Sequence, residues 1–486
     1  MAPLHFLVVA FPGQGHINPA RALAERLARA TPGARVTLSA SVSAHRRMFP
    51  SLASPDDEVH DGAISYIPYS DGYDHGFSLF AGDGDEAERY VEAFGRVGRE
   101  TFSAVLDRLT ARGQPVTCVV YAMLMWWAAE VARERGVPRA LYWIQPATML
   151  AVYYHYFHGY ERLVTEHAAE PGFTVSMPGL PQMAIRDLPS FFTNLTDGRL
   201  VAAFGDIRRT FEQLDLDVDS SSSAGGSRRA MVLVNTVEEL EAGALASVPA
   251  LDVFPVGPAV VSLFTEGEGG TSGAAAAVGD LFEHDEKGYM EWLDTKPARS
   301  VVYVSFGSMA AVSKRQKDEL KRGLAASGRP YLWVVRNNNR DDGFDDAGDE
   351  RRMVVGWCDQ VRVLSHPAVG CFVTHCGWNS TLETVACGAP VVAVPQWSDQ
   401  DTNARLVVQW GIGVRAATDV DRVLEAGELS RCLELIMGDR VEGAAIRASS
   451  ATWKAKLQQA IAAGGSSGRN LRTFLDQFAN DPCFRM

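Results

Sequence analysis

Twice along this 486-residue chain, short runs of β-branched and aliphatic residues alternate with longer amphipathic stretches. Phe6–Phe11 is followed by the helical pattern Pro19–Ala30 and the run Val36–Ala40. Thr117–Tyr121 and Ala140–Ile144 bracket the helical Trp127–Arg135. The pattern restarts with Ser300–Ser305, Tyr331–Val335, Gly370–Thr374 and Val391–Val394 as strands, and Ser313–Ser327 and Ser380–Ala386 as helices. Strands separated by helices make βαβ units, and runs apolar throughout belong to parallel strands covered on both faces. Two such halves predict an α/β chain of two open parallel-sheet domains facing across a cleft, with ligands at the carboxyl ends of the strands.

The halves join through Phe254-Pro-Val-Gly-Pro258 and the Gly/Ala-rich Thr265–Asp280, a flexible linker by composition. The division expected is residues 1–255 for an N-terminal domain and 256–465 for the second. A C-terminal helix at about 466–486 packs back on the first. Asp215–Arg229, with four consecutive serines, and Asn337–Glu350 read as disordered loops. Hydrophobic residues at 47% and charged residues at 22% leave no room for a fibrous or disordered reading. A net charge of −13 disfavours nucleic acid and anionic membranes as partners. The seven cysteines are odd in number and form no C-x-x-C pair, which favours a reducing compartment. No run of ~18 apolar residues predicts membrane insertion, and the N-terminal apolar run lacks a basic flank and a cleavage site. The chain is therefore expected to be cytoplasmic; a monomer is the oligomeric state expected.

One segment carries most of the chemistry: Trp357-Cys-Asp-Gln360, then His375-Cys-Gly-Trp-Asn-Ser-Thr-Leu-Glu383, then Pro395-Gln-Trp-Ser-Asp-Gln400. It resembles the 44-residue donor-binding box of plant family-1 UDP-glycosyltransferases, departing at Cys358-Asp359, where many members have Ala-Pro. Phe11-Pro-Gly-Gln-Gly-His-Ile-Asn-Pro19 and Ser305-Phe-Gly-Ser308 extend the resemblance over the whole chain. Within the family it is similar to the indole-3-acetate, abscisate, crocetin and anthocyanin 5-O-glucosyltransferase branch. The resemblance implies a GT-B fold of two Rossmann-like domains, UDP-glucose as donor, and no metal or other cofactor.

The residues fit that reading physically. A strand ending at His375 and turning at Gly377 into a helix offers free N–H groups and a partial positive charge to a diphosphate. His375, Asn379 and Ser380 add side-chain donors, Trp378 a backbone N–H, and Ser308 approaches from another loop. Trp357, with Cys358 and Gln360 beside it, supplies a flat face for uracil. Glu383 suits ribose hydroxyls, and Asp399 and Gln400 suit sugar hydroxyls. Other readings stand beside these. Ser380-x-x-Glu383 is also a capping box, and Trp357 and Trp397 fit a core. His366, Cys371, His375 and Cys376 invite zinc, but the spacing Cys358-x7-His366-x4-Cys371-x3-His375 matches no standard site, and structural thiols are the expected reading.

In the N-terminal half, Gly13-Gln-Gly15-His16 follows a strand, with Asn18 as N-cap and Pro19 at the first helical position. Asn18 replaces the third glycine of a dinucleotide fingerprint and no ribose acid follows Val36–Ser41, so an NAD(P) oxidoreductase is disfavoured. A helix N-terminus keeps His16 neutral, and the resemblance makes it the base that activates the acceptor. The aspartate that orients this histidine in many relatives is replaced by Ala122. Three explanations compete: an acidic acceptor needing little base, a substitute group, or lost activity. The last motivates a rival reading as a catalytically weak nucleotide-sugar-binding protein. Gly15, Met123, Trp126, Trp143 and Gln145 are the candidate acceptor pocket, for a small apolar carboxylic acid, phenol or alcohol. Core packing is the competing role for these aromatics, and a flavonoid O-glucosyltransferase is the alternative to an ester-forming enzyme.

Overall fold

The computed structural model describes residues 3–54, 56–77, 84–193, 198–223, 229–259, 288–308, 312–336 and 349–479. Their internal contacts group them into two units. The described parts of 3–185, 191–259 and 460–479 form the first, and those of 186–190 and 288–459 the second.

The first unit is built on strands β1 (His5–Val9), β2 (Arg35–Ser39), β3 (Val59–His60), β4 (Ser65–Tyr66), β5 (Cys118–Ala122) and β6 (Arg139–Trp143), with a short ribbon β7 (Thr174–Val175) and β8 (Met183–Ala184), then β9 (Ala230–Val234) and β10 (Leu251–Pro255). The sheet runs β10-β9-β6-β5-β1-β2-β4-β3, parallel except for the β3–β4 pair. Every residue of β1, β5 and β9 is buried, which explains their apolar runs. In the second unit β11 (Val301–Ser305), β12 (Tyr331–Val334), β13 (Arg352–Val355), β14 (Val369–Thr374), β15 (Val391–Ala393) and β16 (Gly413–Arg415) form an all-parallel sheet, β13-β12-β11-β14-β15-β16.

Each sheet reverses its direction of growth once. From β1 the chain builds outward through β2, then adds β5 on the other side of β1; from β11 it builds through β12 and β13, then adds β14 on the other side. Ligand crevices in open α/β sheets form outside the carboxyl ends of the strands at such switch points. In the first unit those ends lead to Gly13–His16 and to Ala122. In the second they lead to Phe306–Ser308 and His375–Gly377.

Several boundaries differ from the sequence reading. Phe254 and Pro255 belong to β10, not to a linker, and Val256 and Gly257 stay with the first unit because their N–H groups bond to the Val234 and Thr236 carbonyls, at 3.0 and 2.8 Å. Asp215–Ser223, expected as disordered, continues the helix Gly198–Ser223, where Asp215 meets His158 Nε2 at 3.1 Å and Asp217 pairs with Arg139. The linker Thr265–Asp280, the seventh cysteine, Cys483, and most of Asn337–Glu350 lie outside the described residues. The helix Ser466–Ala479 lies in the first unit, its Phe474 and Phe478 rings 6.3 and 5.6 Å from Phe6. There Ser467 Oγ donates to the Gly257 carbonyl at 2.6 Å. Among the described residues no helix is long and apolar enough to cross a membrane.

Candidate active site

At the switch point of the second unit the imidazole of His375 is wedged between two glycines. A Cβ on Gly307 would stand 2.6 Å from its Cε1, and one on Gly377 2.6 Å from its Nε2. Gly307 has φ +74, so the position excludes side chains on both counts. Burial pushes the His375 pKa down to about 4, with the Ser305 carbonyl opposing the shift. The ring is neutral at physiological pH and presents one donor and one acceptor.

Cys376 then takes a left-handed turn (φ 62), its N–H donating to Thr374 Oγ1 at 3.2 Å. Gly377 is the N-cap of the helix Trp378–Cys387. The helix therefore begins two residues before Ser380, and the capping-box reading of Ser380 and Glu383 is corrected: Ser380 is its third residue. The N–H groups of Trp378, Asn379 and Ser380 fall in the first turn, the end of a helix that attracts anions.

Gln360 bridges two residues of this helix. Its Nε2 donates to Ser380 Oγ (2.9 Å) and Glu383 Oε2 (2.5 Å), and its Oε1 accepts from the Tyr303 hydroxyl at 3.2 Å. Glu383 is thereby held with its carboxylate aligned from inside the unit. The departure Cys358-Asp359 has a local explanation. Asp359 is the N-cap of Gln360–Ser365, its Oδ1 accepting from Arg362 N at 3.0 Å, a role that neither Ala nor Pro supplies with a side chain. The Cys358 thiol is buried against Tyr303 and pushed up to about 12, chemically inert. Trp357 and Trp397 keep part of their surface exposed, whereas Trp378 is buried, 6.3 Å from Trp410.

Asp399 and Gln400 close the segment at the start of the helix Gln400–Gln409. Asn403 Nδ2 donates both to Asp399 Oδ2 (2.7 Å) and to the Cys376 carbonyl (2.8 Å), linking the two loops. Burial lifts the Asp399 pKa to about 6. Gln400 Oε1 accepts from Gln396 N and Trp397 N at 2.8 and 3.2 Å, so its oxygen is committed to the loop and its amide nitrogen is the group left to meet a sugar. Among the described residues no group of three or more His, Cys, Asp or Glu side chains is arranged to hold a metal; Cys371 is buried in β14.

In the first unit the helix runs Gln14–Ala30, not from Pro19, and Gly13 rather than Asn18 is its N-cap. The N–H groups of His16 and Ile17 both bond to the Gly13 carbonyl at 2.9 Å, which starts the helix a turn early. Pro19 then lies inside it and only forgoes one internal bond. His16 is the third residue, its ring 5.0 Å from Phe11, and burial pushes its pKa down to about 4. Its Nδ1 is buried and without a hydrogen-bond partner. Ala122 ends β5 beside β1 and is fully buried.

The acceptor-pocket candidates separate. Gly15 shares the first helical turn with His16, and Met123 is buried just beyond Ala122. Trp143 is core, a correction to its place in the pocket: it is fully buried, packs on Tyr153 and Phe211, and donates from Nε1 to the Pro146 carbonyl at 3.0 Å. Gln145 is half-buried, its Oε1 enclosed without a partner. Trp126 is half-buried, with Nε1 donating to Asp206 at 2.9 Å and the Arg209 guanidinium 4.7 Å over its ring. Asp206, whose pKa burial lifts to about 6, escaped the sequence reading because its i,i+3 spacing to Arg209 looks like a surface pair. Gln360 was placed among the donor residues without its bridging role, since only folding brings it to Ser380 and Glu383.

The sequence pattern of the family described as "UDP-glucoronosyl and UDP-glucosyl transferase" matches residues 276–452. The crocetin glucosyltransferase (chloroplastic) of Gardenia jasminoides is 41% identical over 481 residues, covering 97% of this chain and 97% of its own. The anthocyanidin 3-O-glucoside 5-O-glucosyltransferase 1 of Perilla frutescens is 41% identical, covering 97% and 98%. The crystal structure of Os79 from O. sativa in complex with UDP superposes with a TM-score of 0.78 at 29% identity, covering 97% and 99%.

Proposed function

The chain belongs to the family of UDP-glucuronosyl and UDP-glucosyl transferases, with the GT-B fold of two Rossmann-like domains, and from that premise we propose how its residues carry glucose from UDP-glucose to a small apolar acceptor. The observation that carries the reading is the His375 ring wedged between Gly307 and Gly377 at the mouth of the helix Trp378–Cys387. Fixed donors at a helix N-terminus stabilise the charge that grows on a departing diphosphate without reorganising. His375, Ser380, Asn379 and the Trp378 amide take the diphosphate, with Ser308 from the facing loop. Trp357 stacks on uracil, Gln360 and Glu383 meet the ribose, and Asp399 with Gln400 reads the glucose hydroxyls. These groups supply the leaving-group stabilisation, and the reaction needs no metal.

The acceptor oxygen attacks the anomeric carbon from the face opposite UDP. The bond to the diphosphate oxygen breaks and its electron pair leaves with UDP, inverting the centre. His16 takes the proton of an acceptor that carries one. It is a weak base in this site, its conjugate acid pushed down to about 4, and Ala122 gives Nδ1–H no carboxylate to stabilise an imidazolium. A phenol near pKa ~10 would pass its proton steeply uphill, whereas a carboxylic acid near ~4.3 arrives ionised. The acceptor best suited to this base is therefore an apolar carboxylic acid, and the product a glucose ester. Phenols and alcohols are the next class, and relatives named for crocetin, phloretin and anthocyanidin glucosides support a small metabolite in either case. The roles assigned need one copy of the chain, and none of its six described cysteines is in a disulfide, consistent with a reducing compartment such as the cytoplasm.

The unpartnered Nδ1 of His16 also favours a second reading, a nucleotide-sugar-binding protein of little turnover. One experiment separates them: UDP-glucose with a panel of carboxylic acids, phenols and alcohols, read by mass spectrometry beside calorimetric UDP-glucose binding. Glucosides or glucose esters support the transferase. Binding without consumption across the panel would establish the second reading.

A further inference from the structure

The segment Arg186–Ser190 leaves the first unit for five residues and joins the second, and the chain on either side belongs to the first. It is sewn down beside the sugar-reading pair. Ser190 N donates to the Ser398 carbonyl at 3.0 Å, and Ser398 N donates to Ser190 Oγ at 2.7 Å, so one serine grips both backbone groups of the other. Three residues earlier, the Asp187 carbonyl accepts from Thr402 Oγ1 at 2.8 Å. The Asp187 carboxylate meets Arg415 Nη1 at 2.9 Å and Arg405 Nη1 at 3.5 Å. Arg415 also pairs with Asp401, which Arg422 reaches at 2.9 Å. Asp187, Ser190, Ser398, Asp399 and Asp401 are all buried.

The gripped residue is conformationally costly. Ser398 has φ 62, in the left-handed region that residues with a Cβ avoid and that persists only where surroundings over-determine it. It directly precedes Asp399, so its dihedral angles aim the Asp399 carboxylate and the first turn of Gln400–Gln409. We propose that Ser190, through its paired hydrogen bonds to Ser398 and with Asp187 anchoring the segment, is a positioning residue that holds Asp399 and Gln400 in register for the donor sugar. The proposal rests on the reading of Asp399 and Gln400 as the sugar-binding pair. It implies that donor-sugar discrimination is set partly by a stretch of sequence some two hundred residues upstream of Asp399.

The test measures kcat/KM for UDP-glucose and UDP-galactose with one acceptor, and the Kd of UDP by calorimetry. It compares wild type, Ser190→Ala, Ser190→Thr and Asp399→Ala. Ser190→Ala is expected to narrow the glucose-to-galactose ratio by about fivefold, the effect of one lost hydrogen bond, with the Kd of UDP within about twofold of wild type. Ser190→Thr, which keeps the hydroxyl, restores the ratio. Asp187→Asn carries the same expectation if Ser190→Ala does not fold. An unchanged ratio in Ser190→Ala, or a loss of UDP affinity equal to the loss in the ratio, overturns the proposal. If Asp399→Ala also leaves the ratio at the wild-type value, the sugar-reading assignment itself fails. Collapse in Asp399→Ala alone removes only the role of Ser190.

Discussion

Gly307 lies so close to His375 that a Cβ on it would stand 2.6 Å from the ring's Cε1 and 2.7 Å from Nε2. The glycine is demanded by the ring and by its own φ of +74, and the ring in turn has no second place to go, because Gly377 closes its other side. Gly307→Ala must therefore strain the loop or displace His375. UDP affinity is expected to fall by about tenfold or more, the effect of losing one hydrogen bond to a charged group. Calorimetry with UDP checks it, and a variant that binds UDP as wild type does would mean the ring does not contact the diphosphate.

His16→Ala is expected to lower kcat for an alcoholic acceptor at least ~100-fold, the lower range for loss of a general base. The Kd of UDP-glucose should hardly move, since His16 belongs to the first unit and the donor groups to the second. Steady-state kinetics on a folded variant decide it. Near-normal turnover would remove His16 from the chemistry.

Ala122→Asp should sort acceptors by acidity. A carboxylate at the end of β5 can accept from Nδ1–H of His16, which is now enclosed without a partner. The gain belongs to acceptors that must lose a proton, so a phenol should speed up by at least ~10-fold and its matched carboxylic acid much less. Assaying one scaffold in both forms, with wild type and variant, gives the comparison. A wild type that uses the phenol readily and ignores every acid would defeat the assignment of an acidic acceptor.

The pH profile should show two unlike signatures between pH 5 and 8. His16 is held near 4 by burial, so it stays neutral on acidification through 6.5. Accordingly, kcat for a non-titrating alcohol passes that point without the fall an ordinary histidine gives. Asp399 is held up near 6 by burial, so it takes a proton as pH falls below 6 and turns from acceptor to donor toward the sugar. The KM for UDP-glucose should therefore rise below about pH 6 while the inhibition constant of UDP stays flat. A tenfold drop in kcat per pH unit below 6.5 would show His16 titrating as an exposed imidazole.

Strand positions were legible because they are buried on both faces, so every residue of β1 and β5 is apolar or packed and composition marks them directly. The first turn of Gln14–Ala30 was not, because Gly-Gln-Gly-His reads as a loop. It becomes helix only where the Gly13 carbonyl collects two N–H groups. Trp143 looked like a pocket wall for the same reason that it is core: an aromatic in an apolar run says that it is buried, not against what. Asp215–Ser223 looked disordered by its serines and acids, yet pairing to His158 and Arg139 carries the helix through it.

The amino-acid sequence by itself determined the two sheets, the segment from Trp357 to Gln400, the histidine at 16 and the alanine at 122, since each is written in local pattern or in residue identity. Tertiary structure alone decided how those residues are held. Gln360 spans from Tyr303 to Ser380 and Glu383, and Asn403 joins the Cys376 carbonyl to Asp399. Ser190 grips Ser398 across 208 residues of chain. Hydrogen bonds between such distant positions leave no periodicity and no motif. They exist only after hydrophobic burial has brought the segments together, and there an unpaired polar group is costly enough that each must find its partner.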